Sequence, residues 1–258
     1  MNKLQQLFQN KQKNILSIYL TAGFPYLEAT GDTILALQAS GVDMIEVGMP
    51  YSDPMADGPT IQNSSQTALQ NGMTLERLFI QLERIKDQIR VPLVFMGYLN
   101  PIMQYGERAF FQRCVEAGIS GLIIPDLPLE VYHSEYETAL EGLDLKLSFL
   151  IAPQTPDTRI RQLDQATTGF VYVVADASVT GKESQISPAQ KTYFQHIRSM
   201  HLKHPQIIGF GIRDSTSFQT ACDFANGAII GSAFIRAMES ATPANLQKSV
   251  QSFIKTIR

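Results

Sequence analysis

Short apolar, β-branched runs recur along this chain and alternate with longer amphipathic ones. The apolar runs fall at residues 16–20, 44–47, 93–96, 121–124, 146–151, 170–174, 207–209 and 228–230. Most are apolar at nearly every position, the pattern of parallel strands buried on both faces. Between them, helical periodicity is read over residues 30–40, 74–88, 107–117, 131–141, 156–166, 188–203, 215–225 and 243–257. Thr74, Ser187 and Asp214 stand where N-caps are expected, as does Thr155 before Pro156. Strand then helix, eight times without a break in composition, predicts an α/β protein of the (β/α)8 TIM barrel type, one domain over residues 1–258. A doubly wound open sheet is the second reading. The polar, amphipathic first 14 residues form a helical extension ahead of the first strand.

Composition narrows the function classes. With 44% hydrophobic residues, the 258-residue chain can bury a large core. Its net charge of −3 comes from well-mixed signs, and no basic stretch is interleaved with aromatics, so nucleic acid is an unfit partner. No apolar run is long enough to span a bilayer and no apolar leader opens the chain, which points to a soluble, cytoplasmic protein. Cys114 and Cys222 lie far apart and read as small buried hydrophobes rather than a disulfide. His133, His196, His201 and His204 sit in polar segments without metal-ligand spacing; they read as solvated, and no metal is expected.

Two interruptions break the rhythm, both after strand C-terminal ends, where barrel enzymes carry their chemistry. The first follows strand 2, over residues 49–73, and the run at its start reads EVGMPYSDPMADGPTIQ over residues 46–62. It holds Glu46 at the strand edge, then Asp53 and Asp57 among Pro54, Gly58 and Pro59. Two readings stand. One is an Asp-rich turn serving backbone geometry. The other is an acid/base pair, one carboxyl kept dry with a raised pKa and the other ionised. The second interruption follows strand 6, over residues 175–187.

A glycine-rich pattern closes the chain. Strand 7 ends in Gly209-Phe210-Gly211-Ile212 and strand 8 in Gly231-Ser232-Ala233. Strand-end glycines let backbone N–H groups approach an anion, and a helix N-terminus adds dipole and donors. The pair of motifs, one βα unit apart, predicts a phosphate site. Phe24, Tyr98, Leu99, Ile151, Tyr172 and Phe210 fall near strand C-termini, as core residues or as the wall of a flat apolar pocket.

Taken in order, the motifs TAGFP (21–25), EVGMPYSDPMADGPTIQ (46–62), MGYLNPIMQYG (96–106), IIPDLPLE (123–130), VTG (179–181), GFGI (209–212) and IGSA (230–233) resemble the tryptophan synthase alpha chain family across nearly the whole length. The resemblance implies retro-aldol cleavage of indole-3-glycerol phosphate to indole and glyceraldehyde 3-phosphate. It implies Glu46 and Asp57 as the catalytic pair: Glu46 moving protons between substrate hydroxyl and ring carbon, Asp57 on the indole N–H. Phe24, Tyr98, Ile151, Tyr172, Thr180, Gly181 and Phe210 would contact substrate, and Gly181, Gly209, Gly211, Gly231 and Ser232 would cradle its phosphate. No cofactor is implied in this chain. Pyridoxal phosphate would belong to a beta chain, in an αββα complex that receives the indole, with Asp53, Pro54, Asn100 and Pro128 on the shared face. Alternatives left by the residues alone are another phosphosugar-binding barrel enzyme, or a mainly allosteric subunit with weak lyase activity.

The resemblance fails in one place. The loop after strand 6 usually reads Ser-Arg-x-Gly-Val-Thr-Gly in this family; here it is Ala175-Asp176-Ala177-Ser178-Val179-Thr180-Gly181. An acid replaces the arginine and Ser178 replaces a glycine, which restricts the backbone at a lid hinge. The expected consequence lies in lid kinetics and signalling to the partner, with the chemistry intact.

Overall fold

The computed structural model describes residues 2–175, 186–209 and 211–258. All strand pairings are parallel. The strands are β1 (Ile15–Thr21), β2 (Met44–Gly48), β3 (Leu93–Met96), β4 (Gly121–Ile123), β5 (Lys146–Ser148), β6 (Leu150–Ile151), β7 (Val171–Val174), β8 (Gln206–Gly209) and β9 (Gly227–Ile230). Their order is β5-β4-β3-β2-β1-β9-β8-β7-β6. The two ends of that order, β5 and β6, are separated only by Phe149, so the ring closes and the eight sequence-read strands form a barrel. The single strand expected at 146–151 changes partner at its middle, pairing with β4 before Phe149 and with β7 after it.

Alternation along each strand sorts two apolar layers. Ile15, Tyr19, Met44, Val94, Met96, Ile123, Phe170, Tyr172, Ile207 and Ile229 fill the barrel interior. Leu16, Ile18, Ile45, Val47, Phe95, Leu122 and Val171 point outward, into the layer shared with the helices. That outer layer takes the apolar faces of α2 (Ala29–Ala39), α4 (Leu75–Glu83), α6 (Glu107–Glu116), α9 (Asp157–Ala166), α10 (Pro188–Ser199), α11 (Ser215–Phe224) and α13 (Leu246–Ile254). Phe79, Phe95 and Phe110 pack together there with ring centroids 5.7–6.3 Å apart.

Caps behave as the sequence predicts at three places. Thr74 accepts from the Arg77 N–H, and Ser187 with Gln190 and Asp214 with Ser217 form reciprocal capping boxes. Thr155 instead closes a turn, its hydroxyl accepting from the Ala152 N–H at 3.0 Å, and α9 starts after Pro156. Three helices escape the sequence reading: α3 (Pro59–Gln70), α5 (Leu99–Tyr105) and α12 (Ser232–Met238). The first is largely polar, the second short and proline-containing, the third hidden behind a strand-end glycine motif. The helix expected at 131–141 is α7 (Leu129–Val131), a π-helical turn over Tyr132–Tyr136 and α8 (Glu137–Leu140).

The N-terminal end of the barrel is shut by α1 (Lys3–Asn10). Leu4 is fully buried in the interior layer, with Leu7 and Phe8 packed beside it. Asn2 fixes this plug: its Oδ1 caps α1 through the Leu4 N–H at 2.8 Å, while its amide donates to the carbonyls of Ser120 at 2.6 Å and Asp144 at 2.9 Å. The opposite, C-terminal end carries the motif-bearing loops. Among the described residues, no helix is long and apolar enough to cross a membrane.

Candidate active site

Inward-facing positions of β1, β2 and β7 bring three polar side chains into the upper barrel. Glu46, on β2, is 2% exposed, and its Oε2 has no hydrogen-bond partner among the described residues. Tyr19 is its register partner on β1. Tyr172 enters from β7, its ring stacked on Phe170 at 6.5 Å. Both tyrosines lean over a glycine on the next strand. A Cβ at Gly48 would lie 2.0 Å from the Tyr19 hydroxyl, and one at Gly209 would lie 2.1 Å from that of Tyr172. Glycine at these two strand ends is thus a space requirement.

The loop after β2 supplies the second carboxyl. Asp57 is buried, and its N–H donates to the Pro54 carbonyl at 3.0 Å. Tyr98, just beyond β3, donates its hydroxyl to Asp57 Oδ2 at 2.9 Å and accepts the Ala56 N–H at 3.0 Å. Gln62, on α3, donates to the Asp57 carbonyl at 2.9 Å. Tyr51 packs against Tyr98 with the rings tilted and their centroids 5.4 Å apart. Of the expected loop after β2, residues 59–70 are therefore helix, and the acid-bearing remainder is pinned at both ends.

Burial sets the electrostatics. Desolvation, then the charge of Asp57, raises the Glu46 carboxyl to about 8. Desolvation raises Asp57 to about 6, with the Tyr98 hydrogen bond pulling the other way. Tyr19 and Tyr172 are pushed well above the ordinary phenol range, mainly by burial and further by both carboxylates, so each stays a neutral hydroxyl. Near neutral pH the arrangement holds one protonated and one ionised carboxyl, the division that general acid chemistry beside a stabilising anion requires.

The glycine motifs emerge side by side, since β8 and β9 are paired. Gly209 ends β8, and Gly211 follows in the left-handed region at φ +75°. Gly231 is the N-cap of α12 and Ser232 its first residue. Phe24 packs against both apolar layers at the end of β1. Its loop is tied to α3 by the Asn71 amide, which donates to the carbonyls of Gly23 at 2.9 Å and Pro25 at 3.1 Å.

Several sequence expectations change. Ile151 faces the outer layer, and its neighbour Leu150 packs on the interior instead; a one-residue step along a strand reverses the face. Pro54 is buried beneath its loop, so it shapes the proposed shared face without offering surface, whereas Asp53, Asn100 and Pro128 are exposed. Asn100 donates to the Tyr51 hydroxyl at 3.2 Å. His133, His196 and His201 are exposed, as read, with His133 and His196 bonded to Glu137 and Asp157; His204 departs from the reading, half-buried and paired with Asp164. Both cysteines are buried and unbridged, as expected. Thr180, Gly181, Phe210 and the Asp176–Ser178 departure lie outside the described residues. Tyr19 and Leu150 escaped the sequence reading. Counting inward positions by two from Glu46 and Tyr172 across the register would have found them.

A family model described as Tryptophan synthase alpha chain matches residues 4–257. The chain is 49% identical over 258 residues to the tryptophan synthase alpha chain of Christiangramia forsetii, covering all of this chain and 99% of the relative. It is 50% identical over 250 residues to that of Flavobacterium johnsoniae, covering 97% and 98%. Among solved structures, the tryptophan synthase alpha chain from Legionella pneumophila superposes with a TM-score of 0.88 at 30% identity, over 100% of this chain and 96% of that one. A chain of M. tuberculosis tryptophan synthase in its aminoacrylate-bound form gives 0.85 at 30% identity, over the full length of both. The chain belongs to the tryptophan synthase alpha chain family.

Proposed function

We propose that this barrel cleaves indole-3-glycerol phosphate to indole and glyceraldehyde 3-phosphate, with Glu46 as the acid/base and Asp57 as the stabilising anion. The observation that carries the reading is the pair itself: two buried carboxyls at the mouth, one raised to about 8 and the other to about 6, with Glu46 Oε2 unpartnered among the described residues. Protonated Glu46 gives its proton to the indole ring carbon that bears the glycerol chain. The ring becomes a cation, and the Asp57 carboxylate at the N–H stabilises it in a water-poor site. The Glu46 carboxylate then takes the proton of the adjacent glycerol hydroxyl. That hydroxyl becomes the aldehyde as the carbon–carbon bond breaks, and the bonding pair returns to the ring. One proton enters the ring and one leaves the hydroxyl, so Glu46 ends as it began.

Tyr98 holds Asp57 for this task. Phe24, Leu150 and Tyr172 wall the ring. Gly209, Gly211, Gly231 and Ser232 form the phosphate cradle, together with Gly181, while Thr180 and Phe210 complete the substrate contacts. No step needs a cofactor in this chain. A beta chain carrying pyridoxal phosphate receives the indole in an αββα complex, in the cytoplasm. Exposed Asp53, Asn100 and Pro128 lie on the docking face. Indole release from indole-3-glycerol phosphate, by wild type and Glu46→Gln with and without a beta chain, tests the reading. Activity that rises with the partner and collapses in Glu46→Gln is expected. An inactive wild type, even with the partner, overturns it.

A further inference from the structure

We propose that Gln62 is a positioning residue for Asp57: from a helix tied to its neighbours along its length, its amide holds the backbone of the acid-bearing loop in place so that Tyr98 can hold the carboxyl. The inference rests on the reading of Asp57 as the stabilising anion. Gln62 Nε2 donates to the Asp57 carbonyl at 2.9 Å and to the Pro54 carbonyl at 3.4 Å. Both partners are carbonyl oxygens, so the amide nitrogen is the only end of the side chain that can face them. The Pro54 carbonyl also accepts the Asp57 N–H at 3.0 Å, which closes a turn over residues 54–57. One side chain thus grips the turn at its first and last residues, and the last residue is the acid.

The donor is fixed because its helix is fixed. Near the start of α3, Thr60 Oγ1 accepts from Arg236 of α12 at 3.1 Å. In its middle, Ser64 Oγ lies 2.6 Å from Thr21 Oγ1 at the end of β1, and both residues are buried. At its C-cap, the Asn71 amide reaches the carbonyls of Gly23 and Pro25 in the loop after β1. The turn that this helix steadies has little packing of its own, since Met55 and Ala56 are exposed. Among the described residues, Tyr98 and Gln62 are the two side chains that hydrogen-bond Asp57. Tyr98 takes the carboxylate and Gln62 the carbonyl. The carboxyl stays on Tyr98 only while the backbone beneath it stays put. Gln62 itself is exposed, so replacing it opens no cavity in the core.

The titratable groups that act on Asp57 come from four other places: Glu46 on β2, Tyr19 on β1, Tyr172 on β7 and Tyr98 beyond β3. Gln62→Met alters none of them and brings no charge. The Tyr98 hydrogen bond holds the Asp57 pKa down, so a slackened turn lets it rise.

The test is a carbon-13 NMR titration of the Asp57 side-chain carboxyl in the full chain labelled at the aspartate carboxyl carbons. The signal is assigned by its loss in Asp57→Asn. In Gln62→Met the midpoint is expected to rise by about half a pH unit. Tyr98→Phe should move it the same way, and the double variant no further than Tyr98→Phe alone, because both residues act through one hydrogen bond. Gln66→Met, the same change one turn along the exposed face of α3, should leave it in place. In the lyase assay Gln62→Met should lose about three- to tenfold in kcat with KM little changed. An unmoved or lowered midpoint in a folded Gln62→Met chain overturns the proposal, as does a shift that adds fully to that of Tyr98→Phe. A purely structural role would lower the denaturation midpoint and leave the titration where it was. The titration needs no turnover, so failure of the lyase reading shows separately, as an inactive wild type.

Discussion

Tyr98 holds Asp57 by a 2.9 Å hydrogen bond while its oxygen accepts the N–H of Ala56, the residue just before Asp57. One phenol thereby fixes both the carboxyl and the backbone of the acid-bearing loop. Tyr98→Phe removes both contacts. Since the hydrogen bond lowers the Asp57 pKa, its loss lets that pKa rise, and the acid limb of the pH–rate profile should move upward. A hydrogen bond to a charged group is worth about 1.5–3 kcal/mol, so kcat/KM should fall roughly ten- to hundredfold. An acid limb that stays in place would refute the clamp.

The two carboxyls also predict the shape of that profile. Activity needs Asp57 ionised and Glu46 protonated, so kcat/KM for the free enzyme should be bell-shaped between about 6 and about 8. The limbs are properties of the coupled pair rather than of either residue alone. Glu46→Asp, which keeps the acid but withdraws it, should retain a bell at much reduced height. A rate that climbs steadily to pH 10 would exclude protonated Glu46 as the acid.

Folding stability carries the opposite signature from that of a salt-bridged acid. Both folded-state pKa values lie above the ordinary carboxylate values, so the folded chain binds protons more tightly than the unfolded one. The contribution is fully present below about pH 4, where both states are protonated. It is lost as pH rises through about 6 for Asp57 and about 8 for Glu46. Glu46→Gln, inactive as a lyase, should therefore be more stable than wild type at pH 8.5 and nearly equal at pH 5. Chemical denaturation at the two pH values measures this; the alkaline gain should be on the order of a few kcal/mol.

Gly209 is required by its neighbour, not by its own backbone. A methyl there would fall 2.1 Å from the Tyr172 hydroxyl. Gly209→Ala should cost about 1–3 kcal/mol in stability and displace the ring from the pocket wall. Because the methyl would also lie 2.4 and 2.5 Å from ring carbons of Tyr172, adding Tyr172→Ala, which removes the ring, should make the combined loss smaller than the sum of the two in a double-mutant cycle. Strictly additive losses would show that the clash is relieved elsewhere.

Ser178 stands where the family carries glycine, in the stretch outside the described residues. Ser178→Gly is predicted to change stimulation by the beta chain more than the basal rate, because the added backbone freedom falls outside the catalytic pair. Equal changes in both rates would sink this.

Much of the barrel was legible because its strands are buried on both faces, so apolar runs mark them without ambiguity. Helices with a strong apolar stripe were equally visible. Polar α3 was not: of its apolar side chains only Ile61 and Ala68 are buried, too few to mark a helical face. Glu46, Asp57 and the glycine motifs were readable because their neighbours are unusual in type. Tyr19, Leu150 and the Thr21–Ser64 link were not, because their roles come from register across strands or from packing against α3. Ile151 shows the cost of lacking that register: the right strand end, the wrong face.

The plug formed by Leu4, Leu7 and Phe8 shuts the N-terminal end of the barrel, which leaves the C-terminal rim, with the loop that carries Asp53 and the almost fully exposed Met55, as the side from which the Glu46 end is approached. A second protein seated on that rim would govern entry and exit from that side together.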